Sequence, residues 1–364
     1  VRKRSIKCTL AFSLLDARNI PAPPSGLRVL GRQVRMALFD KTSVLSNIHS
    51  VAGVYNPEFE KHWRFSNKAS LLFPRDDDNT CFLRSNDVDI RLSILFELCL
   101  VVARPDSETP GDVMELSCGW GLLPLFTADG GPVENKTYDI KLYGGTPFEK
   151  DVPLFEAGEK KGFLQALLKS SPVPRLNIRV WKLGKSAMED LNQLPDVLIS
   201  FLSAVPVLAM YRQILAEALE GAQRESAMST IYEPAIAVLP QIAAQNDLLA
   251  LLVHLWERAL RGMKRGEKNS AVKMKQLFTE TVLAVWPLLH VWDMPSYISG
   301  DGERLQLRQA FITRFQETGL LESLTKNPAN HSIEPFSLDE LQFDLLRCAM
   351  ETREANTERG QVAF

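Results

Sequence analysis

The stretch Ile90-Arg-Leu-Ser-Ile-Leu-Phe-Glu-Leu-Cys-Leu100 places Ile90, Leu92, Ile94, Phe96, Leu98 and Leu100 on alternate positions, with Arg91, Ser93 and Glu97 between them. A period of two sends successive side chains to opposite faces of a strand, one of them apolar. Working outward, the same alternation occurs in Cys8-Leu10-Phe12-Leu14 and in Val34-Met36-Leu38. Further strands are predicted over Leu116–Phe126, Tyr138–Leu142 and Leu176–Val180. Turn-forming runs separate them: Pro21–Gly26, Asp76–Asn79 and Asp129–Pro132. About eight strands at such spacing predict an antiparallel β-sandwich.

The second half changes period. Ser186-Ala-Met-Glu189 and Ser337-Leu-Asp-Glu340 read as capping boxes. Pro195 and Pro206 suit the first turns of two further helices. Asn246 is placed to cap a helix with a broad apolar face of Leu248, Leu249, Leu251, Leu252, Leu255, Trp256 and Ala259. Helices are also expected over 270–290, 303–320 and 337–355. The apolar run Val197–Tyr211 is short for a bilayer and contains Pro206, so it reads as a core helix. The fold class expected is therefore multi-domain α and β. Residues 1–184 would form the sandwich, with a helical insertion near 151–174, and residues 185–364 an all-α domain.

Composition narrows the function classes. The chain has 364 residues, 45% hydrophobic and 24% charged, enough for two cores. A net charge of −2 argues against nucleic acid as a partner, since counterion release needs a concentrated basic face. Residues 1–50 nevertheless hold nine Lys/Arg against two Asp/Glu. Arg28, Arg32, Arg35 and Lys41 would meet an acidic lipid or acidic partner if they shared a face. Five scattered cysteines without a CxxC pair point to a reducing compartment. The basic start runs into a strand pattern instead of the apolar core of a signal peptide. The chain opens on Val1 and reads as part of something longer.

No catalytic constellation is legible. The five histidines are far apart, and Gly26-Leu-Arg-Val-Leu-Gly31-Arg32 lacks the Lys and hydroxyl of a phosphate loop and leads into a strand. Asp76-Asp77-Asp78 reads as a solvated turn, because consecutive carboxylates diverge whereas a hard cation needs convergence. No metal or cofactor is expected.

Two resemblances add to this reading. Thr9–Asn19 followed by Ile20-Pro21, and Asn56-Pro-Glu-Phe59 followed by Trp63-Arg-Phe65, resemble the opening strand and the Asn-Pro … Phe signature of C2-type domains. The loop Pro21–Gly31 carries none of the aspartates of calcium-binding members, so the resemblance implies a calcium-independent variant. Glu115-Leu-Ser-Cys-Gly-Trp120, Leu142-Tyr-Gly-Gly-Thr-Pro-Phe-Glu-Lys150, Tyr211-Arg-Gln-Ile-Leu215, Pro287-Leu-Leu-His290 and Glu334-Pro-Phe336 resemble, in order, runs in the C-terminal homology region of the nephrocystin-1 family. That resemblance implies a non-enzymatic scaffold at the ciliary transition zone and at cell–cell junctions. It also implies nephrocystin-4, filamin-type actin-binding proteins and self-association as interactions. No SH3 domain lies within these residues.

Trp120, Tyr211, Arg212, Trp292 and Tyr297 are the candidate partner-binding residues, being of types enriched in interface hot spots. Beside that stands a structural reading. Gly119 and Gly121 flank Trp120 and permit a bulge or close packing, and Tyr211 and Arg212 sit on a helix whose apolar face packs a core. A peripheral, calcium-independent membrane module is the competing function.

Overall fold

The computed structural model describes residues 8–22, 26–53, 61–65, 80–104, 113–127, 129–144, 147–148, 173–224, 230–291, 293–298, 301–317 and 342–344. They divide into two compact units. One runs to Val205 and takes in Pro295–Phe311, and the other comprises Pro206–Met294 and the described residues from Ile312 on. The architecture is mixed α and β, with strands mostly in the first half and helices mostly in the second.

The first unit contains two antiparallel sheets. One has the order β10 (Val197–Phe201), β5 (Thr80–Ser85), β1 (Cys8–Arg18), β9 (Arg175–Trp181), β8 (Thr137–Lys141), and β4 (His62–Arg64) also pairs with β1. The other has the order β3 (His49–Ala52), β2 (Arg28–Phe39), β6 (Ser93–Ala103), β7 (Val113–Pro124). Side chains from both sheets form one buried cluster, including Phe12, Leu14, Leu38, Phe96, Leu98 and Ile178. Phe12 meets Phe96 edge to face at 6.0 Å. Trp63 and Phe65 of the C2-like signature are buried in the same cluster.

The alternation that opened the reading has a different outcome at its ends. Ile90 is 65% exposed, and β6 begins only at Ser93, after a turn in which Leu92 N–H donates to Asp89 C=O. The other face is not solvated either: Leu95, Cys99, Val101 and Ala103 are buried together with the even-numbered residues. A central strand covered on both sides reads as a continuous apolar run, and Leu95, Val101 and Val102 supply it.

Val197–Tyr211 is corrected. Val197–Phe201 is β10, paired antiparallel with β5 from Val197 opposite Ser85 to Phe201 opposite Cys81. Pro195 therefore precedes a strand. The physical reason lies in side-chain direction: the alternate residues Val197, Ile199 and Phe201 pack on the cluster, which an edge strand achieves and a helix would not. This strand falls beyond the junction expected at residues 184–190, and the sheet unit continues to Val205. Between them α1 (Lys185–Leu191) opens with Gly184 at the cap position and no side-chain cap, so Ser186 is not a capping residue. Leu191 and Leu194 of this segment are buried. Fully buried Arg84 donates to Pro195 C=O and lies 3.7 Å from an Asp196 oxygen.

In the second unit, α2 (Val205–Arg224) begins with Pro206 in its first turn. Leu202–Gly221 is apolar and long enough to cross a membrane by length and composition, yet Val205, Val207, Met210 and Ile214 are buried in the fold. The helices α3 (Pro234–Ala243), α4 (Asn246–Gly262) and α6 (Ala271–Val285) pack on one another, and Trp256 meets Phe278 edge to face at 5.2 Å. Asn246 is the first residue of α4, with Gln245 at the cap. The Lys-, Arg- and Gly-containing segment Gly262–Ser270 contains a single turn of helix, α5 (Arg265–Lys268). Ser270 caps α6, its Oγ accepting from Lys273 N–H. α7 (Gly302–Glu317), whose residues up to Phe311 belong to the strand-bearing unit, agrees with the expected helix 303–320 as far as Glu317, the last described residue there.

In the expected helix 337–355, Gln342–Asp344 is instead a strand, β12, paired with β11 (Thr230–Tyr232). The rest of it lies outside the described residues. So do Asp76–Asp78, Asn56–Phe59, Glu334–Phe336 and the insertion near 151–174, apart from Val173 and Pro174.

Candidate protein-binding site

The two runs Glu115–Trp120 and Leu142–Lys150 meet in space. Trp120 N–H donates to Tyr143 C=O at 2.9 Å and Tyr143 N–H to Trp120 C=O at 2.7 Å. This exchange is a single antiparallel bridge between the free edge of β7 and the chain just past β8, so it ties one sheet to the other. Glycine makes it possible. Gly119 adopts φ +136°, and a Cβ there would lie 2.9 Å from Tyr143 C=O. A Cβ on Gly121 would lie 2.7 Å from Ile140 Cγ2 and 3.0 Å from Lys141 C=O. The register of β7 on β6 also shifts beside Gly119, where Leu98 pairs with Gly119 but Cys99 with Ser117. Both the bulge and the close packing expected of these glycines are present.

Around the bridge the rings are held in place. Trp120 Nε1 donates to Gly144 C=O at 3.1 Å. Its ring lies 5.2 Å from that of Tyr143, and Lys141 Nζ stands 5.4 Å from the centre of the Tyr143 ring. Beyond the bridge β7 and β8 part, leaving an open groove of about 720 Å³. Leu123, Phe126, Val133 and Ile140 give it an apolar floor, and Leu122 with Glu134, Lys136, Asp139 and Lys141 its rim.

The other candidate residues are dispersed. Tyr211 is half-buried on α2, where burial raises its phenol above the ordinary value, and Arg212 beside it is half-buried. Tyr297 is half-buried beneath Arg308, whose guanidinium carbon lies 5.3 Å from the ring centre and whose Nη1 donates to Pro295 C=O at 2.7 Å. Trp292 lies outside the described residues.

The four cations are not brought together. Arg28 and Lys41 lie at and just beyond opposite ends of β2. Arg35 points away from the cluster and pairs with the Glu115 carboxylate, whereas Arg32 shares the parity of Val34 and Met36. Two positions of opposite parity on one strand face opposite ways.

A second junction between the sheets escaped the sequence reading. Asn47 Nδ2 donates to Ile199 C=O at 2.8 Å, and its Oδ1 accepts from Ile199 N–H at 3.0 Å. Next to it His49 is buried, its ring 4.3 Å from that of Phe201, and burial lowers its pKa from 6.5 to about 4. Cys8, Cys81, Cys99 and Cys118 are free thiols. Burial pushes Cys8 and Cys118 up to about 11 and Cys99 to about 12, and it raises Cys81 further, so none is a ready thiolate.

With this geometry in hand, the chain can be set beside known proteins. No family model matches it. Over 357 residues it is 32% identical to nephrocystin-1 of the dog, Canis lupus familiaris, which covers 95% of this chain and 62% of that protein. The chain thus spans less than two thirds of the length of the curated relative, while the similarity runs through both compact units. Along nearly all of its length, the chain is similar to part of nephrocystin-1.

Proposed function

We propose that these residues act as a non-enzymatic protein-interaction scaffold at the ciliary base and transition zone, with nephrocystin-4 as a partner. The observation that supports this best is the similarity to nephrocystin-1 over 95% of the chain, across strands and helices alike. A scaffold needs both modules intact and carries its affinity in a few buried aromatic and Arg anchors. Trp120 is fixed on both sides, by its backbone bridge and by its indole N–H, as such an anchor requires. Tyr211, Arg212, Trp292 and Tyr297 are proposed as further contacts. Filamin-type proteins, self-association and a place at cell–cell junctions belong to the same reading. So does a C2-type origin for the strand-bearing unit, which its two antiparallel sheets around one cluster support.

The test is co-elution of the purified chain with nephrocystin-4 on size exclusion with light scattering. A complex of defined mass is the expected result. A folded chain that elutes alone at micromolar concentration would overturn the assignment of that partner. The competing lipid module predicts salt-sensitive flotation with acidic liposomes, and the dispersal of Arg28, Arg32, Arg35 and Lys41 lends it little support.

A further inference from the structure

We propose that the groove between β7 and β8 receives an extended segment of a partner protein in which apolar side chains alternate with acidic ones. This deepens the scaffold reading and rests on it. Three features carry the inference: an unpaired backbone edge, an apolar floor, and one cation left over.

The edge comes first. Leu142 N–H donates to Pro174 C=O, and Val180 N–H to Lys136 C=O, so even-numbered residues here turn their backbone groups toward β9. Tyr143 exchanges its pair with Trp120, so odd-numbered residues turn theirs toward the groove. Thr137 and Asp139 thus present N–H and C=O groups to the open side, where β8 has no ladder partner among the described residues, whereas Lys141 C=O packs against Gly121. Opposite them, Trp120 directs its backbone groups at Tyr143, so alternation leaves Leu122 facing the groove from β7. An unpaired edge of this kind accepts an added strand. The open stretch Thr137–Asp139, at about 3.3 Å per residue, gives it a reach of about 10 Å, room for a segment of about three residues.

Side chains set the sequence preference. Residues of an added strand alternate between the floor, built on Leu123, Phe126, Val133 and Ile140, and the rim. On the rim, Glu134 is neutralised by Lys136 at 2.6 Å, and Asp139 by Arg175 at 2.6 Å. Lys141 has no carboxylate salt-bridged to it among the described residues, and its ammonium is fixed over Tyr143. A strand whose rim-facing residues are Asp or Glu complements that charge, and one carrying Lys or Arg does not.

The experiment uses the full chain and an array of blocked octapeptides that alternate Val, Ile or Leu with Glu or Asp. The control is a matched array with Lys in place of each acid. Binding is read by fluorescence anisotropy, with near-UV circular dichroism to check folding. Acidic members should bind and their Lys counterparts should not. Leu122→Glu should weaken binding by about 100-fold, and Lys141→Glu by about 10-fold while improving the Lys counterparts. The charge swap keeps the test decisive if Leu122→Glu fails to fold. Equal binding of both arrays, no binding of either, or indifference to Lys141→Glu would each overturn the proposal. A concentration-dependent rise in mass abolished by Lys141→Glu would also overturn it, since the occupant would then be a second copy of this chain.

Nephrocystin-4 is run in parallel. Peptides that bind while nephrocystin-4 does not would remove that partner and uphold the groove. Nephrocystin-4 binding with no peptide bound would overturn the groove and uphold the scaffold.

Discussion

The two sheets of the strand-bearing unit are joined at two edges, by different means. Between β7 and β8 the join is made of backbone, Trp120 against Tyr143, with glycines cleared on either side. Between β3 and β10 it is made of side chains, with the Asn47 amide supplying one donor and one acceptor to Ile199 as a neighbouring strand would. Both solutions cover part of an edge that would otherwise offer itself to another chain. They differ in tolerance. A backbone bridge fails when any Cβ is added beside it, whereas an amide clamp fails only when that one side chain is lost.

The sharpest way to break the first join is Gly119→Ala. The new Cβ would combine a left-handed backbone with a 2.9 Å approach to Tyr143 C=O, and a loss of about 4 kcal/mol is expected in denaturant unfolding. A loss below about 1 kcal/mol would mean that the bridge contributes little to the fold.

The second join is sensitive to protons. Unfolded, the His49 imidazole takes up a proton below its ordinary value of 6.5, and folded it resists until about 4. The unfolded chain therefore binds more protons in that window. Stability should fall by about 3 kcal/mol as the pH drops through it, and be unaffected by this group above 6.5. His49→Phe should flatten that slope, and an unchanged slope would assign the acid sensitivity to carboxylates.

Smaller effects distinguish the two joins further. Asn47→Ala removes both hydrogen bonds to Ile199 and should cost about 2 kcal/mol. Faster hydrogen exchange should appear at Ile199 while Trp120 and Tyr143 stay protected. Trp120→Phe keeps the backbone bridge and loses only the indole bond to Gly144, for about 1 kcal/mol. A Trp120→Phe penalty larger than that of Asn47→Ala would reverse the comparison.

Sequence patterns revealed one join and hid the other for a physical reason. Gly-Trp-Gly inside an apolar alternation announces close approach, though not the partner strand, because register between distant edges is set by the whole fold. Asn47 carries no such signal, since one polar residue in a loop is ordinary. β5 was missed because Thr80–Ser85 is buried on both faces and includes Arg84, which a two-period reading excludes. β10 passed for a helix because Val197-Leu-Ile-Ser-Phe201 is apolar almost throughout. The apolar face of α4 was legible because local patterning alone decides it, whereas Trp63 and Phe65 were legible through the resemblance to the C2-type signature. Of the described candidate contacts only Trp120 falls in the groove, and Lys141, never singled out, becomes notable only through its place above Tyr143.

The return of Pro295–Phe311 to the strand-bearing unit bears on how the chain is made. Gly31 on β2 forms its antiparallel bridge with Asp301, just before α7. A ribosome finishes β10 about 100 residues before it makes that partner, a wait of about 5 to 20 s at ordinary elongation rates. Throughout that interval the nascent unit holds all its strands but lacks its closing segment, while the helices meant for the other unit emerge beside it. Chaperone occupancy on a translating ribosome should therefore peak between β10 and α7 and fall once Asp301 clears the exit tunnel.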